Sequence, residues 1–146
     1  MKTTTLIAVL LAAAVVGLGQ AAAANRGSTT VSIAGSRLGR ILVDSRGHTL
    51  YLFERDARGH SACTGACAAY WPPLLTRARP TAGRDAKTSL IGVIRRGDGT
   101  KQVTYAGYPL YRFAQDTRPG SITGQDLHFF GGGWYVLSPV GTKIET

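Results

Sequence analysis

Apolar and polar positions along this chain alternate in short runs, with little of the spacing a helix would need. Ile41-Leu42-Val43 and Thr49-Leu50-Tyr51-Leu52-Phe53 are rich in β-formers, and Asp44-Ser45-Arg46-Gly47 between them reads as a turn. Leu90-Ile91-Gly92-Val93-Ile94 reads as another strand, and Val103 and Tyr105 alternate with polar neighbours. Tyr111 and Phe113 flank Arg112 with period two. Trp134-Tyr135-Val136-Leu137 is a further strand, stopped by Ser138-Pro139. Asp98-Gly99 is a two-residue hairpin signal, and Ala106-Gly107 ahead of Pro109 is a second turn. Thr64 to Tyr70 is the one good helical segment: Thr64 can cap it, Ala66, Ala68 and Ala69 favour it, and Pro72-Pro73 ends it. The pattern predicts a mostly β, single compact domain of roughly seven to nine short strands, with one short helix near the cysteine pair.

Two parts of this pattern are one part repeated. Shifted by 60 residues, Gly39, Val43, Gly47, Leu50, Tyr51, Phe53 and Asp56 fall on Gly99, Val103, Gly107, Leu110, Tyr111, Phe113 and Asp116. Each copy carries Gly-x-x-Leu-Tyr-x-Phe-x-x-Asp. Two copies are too few for a solenoid, so duplication within one domain is expected, with both units giving strands to a shared core. The expected division is a signal peptide at 1–24, an N-terminal segment at 25–36, and a two-repeat domain at 37–146. Repeat 1 runs over about 37–75 and repeat 2 over about 97–141.

The first residues set the expected compartment. Lys2 lies in a short polar start, Leu6 to Leu18 is apolar, and Ala21 to Ala24 supplies small residues for cleavage after Ala22, Ala23 or Ala24. The apolar run falls short of the roughly 20 residues a membrane span needs. No cysteine follows it before Cys63, so a lipobox is missing. A secreted or periplasmic product is expected, with the signal peptide cleaved and no lipid attached.

The chain resembles a known family through its repeats. Tyr51-Leu52-Phe53-Glu54-Arg55-Asp56 and Tyr111-Arg112-Phe113-Ala114-Gln115-Asp116 match the Tyr-x-aromatic-x-x-Asp motif of the bacterial "secreted repeat of unknown function" family, often labelled predicted lipoproteins. Cys63-x-x-x-Cys67 leading into Trp71-Pro72-Pro73-Leu74 is similar to that family's first-repeat ending. Gly124-Gln125 and Gly132-Gly133-Trp134-Tyr135-Val136 resemble its second. The resemblance covers about Leu38 to Gly141. It implies export and a two-repeat domain, for a family without an established activity; the missing lipobox departs from the lipoprotein label.

Several residues could carry chemistry. Cys63 and Cys67 are the only cysteines, and a lone pair in an exported protein reads as a structural disulfide. With His60 they could instead hold a soft metal or cycle as a redox couple. Asp56 and Asp116 each end an apolar stretch and enter a Gly-containing turn. There a carboxylate can accept backbone N–H groups two residues on. The alternative makes each part of a Ca²⁺ site with Asp126. Tyr51, Phe53, Tyr111 and Phe113 should face one core layer. Trp71, Trp134 and Tyr135, with Tyr70, Phe129 and Phe130, could line an aromatic groove for a sugar or a porphyrin. No metal or cofactor is expected under the main reading.

Charge and length narrow the function without naming it. The 146 residues carry 17 basic and 8 acidic side chains, a formal net charge of +9. The arginines are dispersed, so there is no basic tail, and outside the cytoplasm the anionic partners in reach are lipid headgroups and envelope polymers. Neither Gly-x-Ser-x-Gly nor His-Glu-x-x-His occurs. The sequence points to a monomeric, exported, non-enzymatic module of unknown ligand, with a binding or structural role. The alternatives are a metal-handling or thiol-redox protein, and an adhesin for anionic polymers.

Overall fold

The computed structural model describes residues 28–146; the expected signal peptide lies outside them. Among the described residues nine strands form three three-stranded sheets. In the first, β1 (Thr30–Ser36) lies between β2 (Gly39–Asp44), antiparallel, and β4 (Thr81–Ala82), parallel. In the second, β9 (Gly132–Val136) lies between β3 (Tyr51–Phe53) and β8 (Leu127–Phe129). In the third, β6 (Lys101–Tyr105) lies between β5 (Ile91–Arg95) and β7 (Tyr108–Pro109). One helix, α1 (Ala66–Tyr70), and a 3-10 turn at Thr88–Leu90 complete it. The protein is mostly β, as its sequence pattern predicts.

The duplication is visible in the topology. The β1–β2 hairpin precedes the first Tyr-x-Phe motif, and the β5–β6 hairpin, 60 residues on, precedes the second. Residues 25–36 therefore include a strand of the first repeat: Val31 and Ile33 are fully packed in the core. The domain reaches back at least to Thr30.

The strands that read as unbroken apolar runs are sandwiched between two cores. Tyr51, Phe53, Trp134 and Val136 point into one cluster; Leu50, Leu52, Tyr135 and Leu137 point into the other. A strand buried on both faces has no need of a polar face, which is why its sequence does not alternate.

Three local expectations are corrected. The hairpin at Asp98-Gly99 is longer than two residues: Arg96 N–H bonds the Thr100 carbonyl at 2.8 Å and Gly99 N–H the Arg96 carbonyl at 2.9 Å, so Gly97 belongs to the loop. The true two-residue turn is Ala106-Gly107, both in the left-handed region at φ 51° and 85°, as the twist of a tight hairpin demands. Tyr111 to Phe113 forms isolated bridges to Tyr51 and Pro73 rather than a strand. Its neighbour is the 70–73 segment, where the Pro72 and Tyr70 carbonyls accept from Arg112 and Ala114 N–H but Pro72 and Pro73 cannot donate, so only half a ladder forms. Finally, Gly65 and not Thr64 occupies the cap position of α1, and no side chain caps it.

Candidate functional site

The two motif copies meet face to face. Tyr51 N–H bonds the Tyr111 carbonyl at 2.8 Å, and Tyr111 N–H bonds the Tyr51 carbonyl at 3.0 Å. The side chains then cross between repeats. The Tyr51 hydroxyl donates to Asp116 Oδ2 at 2.5 Å, and the Tyr111 hydroxyl to Asp56 Oδ2 at 2.6 Å. The other oxygen of each carboxylate closes its own loop, Asp56 Oδ1 on Ala62 N–H at 2.7 Å and Asp116 Oδ1 on Thr123 N–H at 2.9 Å. These N–H groups lie six and seven residues on, rather than two, because each carboxylate leans inward to the opposite tyrosine.

Burial, reinforced by the adjoining carboxylate, pushes both phenols far above their ordinary pKa, so each remains a donor. Burial also raises Asp56, against the pull of the Tyr111 hydroxyl and Ala62 N–H. Asp126 is elsewhere, 3.4 Å from the exposed His128, and among the described residues no three His, Cys, Asp or Glu side chains gather as a metal site.

Inside this frame four rings stack in the order Phe53, Trp134, Trp71, Phe113, with centroids 4.1, 3.9 and 4.3 Å apart. Tyr51 stands edge-on to Trp71 at 5.3 Å and Tyr111 edge-on to Trp134 at 5.2 Å. Every member has its counterpart in the other repeat, so a pseudo-two-fold axis passes between the indoles. Trp71 and Trp134 are thus core, and Tyr135 is buried in the second cluster. Trp134 and Tyr135 line no aromatic groove and Trp71 gives one only an edge, because indole and phenol surface is worth more packed ring on ring than left in water. Gly124 makes room: a Cβ there would lie 2.8 Å from Trp71 and 3.0 Å from Tyr51.

Cys63 and Cys67 are bonded to each other and buried beneath the ring stack. Neither sulfur is a thiolate, and His60 is exposed. Sequence reading missed how this loop is held. Arg96, counted there as one of many dispersed cations, is buried and donates to Ser61 Oγ at 2.8 Å, Gln102 Oε1 at 2.7 Å and the Cys63 carbonyl at 2.7 Å. Nothing in the local sequence marks that role.

A groove does exist, beside the stack rather than in it. Tyr70, Phe129 and Phe130 are 54%, 56% and 39% exposed and enclose a hollow of about 570 Å³ with Gln115, Thr123 and Leu127. Edges of Trp71 and Phe113 form its floor, and among the described residues no charged side chain lines it. The Tyr70 and Phe130 rings lie 6.0 Å apart, tilted by 43°. Phe130 sits at the tip of the β8–β9 hairpin at φ 58°, followed by Gly131 at 85°. A bulky residue in the left-handed region costs about 1 kcal/mol or more, and Asn or Gly is the usual occupant of such a turn. A larger hollow of about 700 Å³, bordered by Ser28, Leu75, Arg77 and Lys101, has no aromatic wall.

No curated protein and no solved structure shows a significant match to this chain. A family model for a secreted repeat of unknown function matches it twice, at residues 32–75 and 92–138, more than half of the chain. The two matched segments coincide with the two halves joined by the tyrosine–aspartate exchange. With both repeats present and mutually engaged, the chain belongs to the family of secreted repeats of unknown function.

Proposed function

We propose that this protein is an exported, non-enzymatic binding module whose ligand is an uncharged ring compound, held in the groove of Tyr70, Phe129 and Phe130. The observation that carries the reading is Phe130. It accepts an unfavourable backbone conformation while leaving 39% of its surface in water at the groove's rim. An apolar hollow with a few neutral polar neighbours is the ordinary form of a small-molecule site. The repeat carboxylates, which acid–base chemistry would draw on, are instead engaged with tyrosines and backbone N–H groups, and neither lines the groove. Cleavage of the leader after Ala22, Ala23 or Ala24, without lipid attachment, belongs to the same proposal.

N-phenyl-1-naphthylamine, an uncharged fluorescent aromatic, is the probe for this groove. Its titration into the purified protein is expected to give saturable fluorescence enhancement. Phe130→Asn should abolish most of that signal while raising unfolding stability by about 1 kcal/mol, because Asn tolerates the turn better. Unsaturable enhancement, or unchanged probe binding in a folded Phe130→Asn variant, would overturn the reading.

A further inference from the structure

The pseudo-symmetry exposes one place where the two repeats differ. In repeat 1 the outer edge of β1 is covered: Thr81 N–H bonds the Thr29 carbonyl, Gly83 N–H the Val31 carbonyl, and Ile33 N–H the Arg84 carbonyl, at 2.7–2.9 Å. The equivalent edge of repeat 2 is that of β5, 60 residues on. Leu90, Gly92, Ile94 and Arg96 pair inward with Ala106, Thr104, Gln102 and Thr100, so the backbone groups of Ile91, Val93 and Arg95 face outward. The Ile91 N–H is taken by the Thr88 carbonyl of the 3-10 turn; among the described residues the Ile91 carbonyl and the backbone groups of Val93 and Arg95 have no backbone partner. After β9 the chain turns back through 138–142 and pairs with β9 itself, Leu137 against Lys143, instead of crossing to β5.

The open edge is shaped and charged. Ser32 of β1 presses on its covering strand, since a Cβ on Gly83 would lie 2.1 Å from Ser32 Oγ. Its counterpart in β5 is Gly92, which lacks that side chain. A cleft of about 140 Å³ opens there between Arg79, Pro80, Thr88, Ile91, Gly92 and Val93. Val93 is 42% exposed. Arg79 is exposed, and among the described residues its guanidinium has no carboxylate partner; Arg95 is exposed at the far end of the strand. An edge open from the Ile91 carbonyl to Arg95 is a template for a further strand.

We infer that the edge of β5 takes an extended segment of another polypeptide, running parallel to β5 as β4 runs to β1, with a carboxylate side chain in the cleft beside Gly92 and Arg79. Main-chain bonds to the Ile91 carbonyl, Val93 and Arg95 supply the pairing, and Arg79 supplies the preference for acid.

The probe is a synthetic, end-blocked copy of residues 79–86 carrying Gly83→Glu and Arg84→Thr, titrated into nitrogen-15-labelled protein. Saturable shifts are expected in the amides of Val93 and Arg95. A matched peptide with Gly83→Lys should bind roughly 3-fold more weakly, the worth of one partly exposed ion pair. Arg79→Glu in the protein should reverse that order, and Val93→Pro should remove binding, since proline deletes only an outward donor of an edge strand. Unmoved β5 amides, or equal affinity for the acidic and lysine peptides, would overturn the proposal. So would self-association of the free protein through β5 in sedimentation, which would make a second copy the occupant.

Discussion

Asp56 and Asp116 each hold one end of two structures, their own loop and the other repeat's tyrosine. A hydrogen bond from a buried phenol to a carboxylate is worth more than a neutral one, about 1.5–3 kcal/mol. Tyr51→Phe and Asp116→Asn should therefore each cost about 2 kcal/mol. The pair should fall short of additive by about 1 kcal/mol or more in a double-mutant cycle read by urea unfolding. Asp44 is a different case. Burial works to raise its pKa, but the Arg112 guanidinium at 2.6 Å and the N–H groups of His48 and Arg46 outweigh burial and hold it below 3.8. Folded Asp44 thus binds a proton less readily than unfolded, so its contribution is present above pH 3.8 and is lost as pH falls below it. Asp56, raised by burial, acts in the opposite direction: its contribution is present in acid and lost as pH rises from 3.8 through its folded pKa. Urea midpoints between pH 3 and pH 7 should accordingly show a smaller acid loss in Asp44→Asn and a larger one in Asp56→Asn, each relative to the parent chain.

At the scale of elements, the short ones depend on fasteners outside themselves. The five-residue α1 has no side-chain cap and is far below the length at which an isolated helix persists. It is held by the Cys63–Cys67 bond and by Arg96 reaching the Cys63 carbonyl. The loop closed by that disulfide is small, so its loss through Cys63→Ser should cost only about 2 kcal/mol. The variant should stay folded at 25 °C, with the lower melting temperature read by calorimetry. Arg96→Met should cost at least as much, because it strands three acceptors in the core at once. The β8–β9 hairpin shows the opposite economy, carrying an exposed phenylalanine where asparagine would fit its turn better.

At the scale of the molecule the repeats are not independent. The ring stack interleaves them, each Trp lying between the Phe and the indole of the other repeat. A chain of residues 28–75 or of 92–146 exposes one face of that stack and leaves a tyrosine hydroxyl or a carboxylate without its partner. Each half alone is expected to lack the near-ultraviolet circular dichroism of the intact protein, and an equimolar mixture to regain part of it. A half that folds by itself would refute the shared-core account.

What the linear pattern determined is local and repetitive. Short β-rich runs, turns with glycine and the 60-residue repeat are written in adjacent residues, because strand preference and turn geometry are decided within a few positions. The family motif and the disulfide were legible for the same reason: their residues lie close together in the chain. Partnerships across the pseudo-two-fold axis were not. Tyr51 meets Asp116 and Trp71 meets Trp134 over separations of 65 and 63 residues. A constant shift of 60 also fails at the repeat ends, where Trp71-x-x-Leu74 matches Trp134-x-x-Leu137 three residues out of step. Which aromatic rings are buried, which arginine is interior and which sheet edge stays open depend on what the rest of the chain brings against them. Burial is a property of the surrounding volume, and only the tertiary fold assigns it.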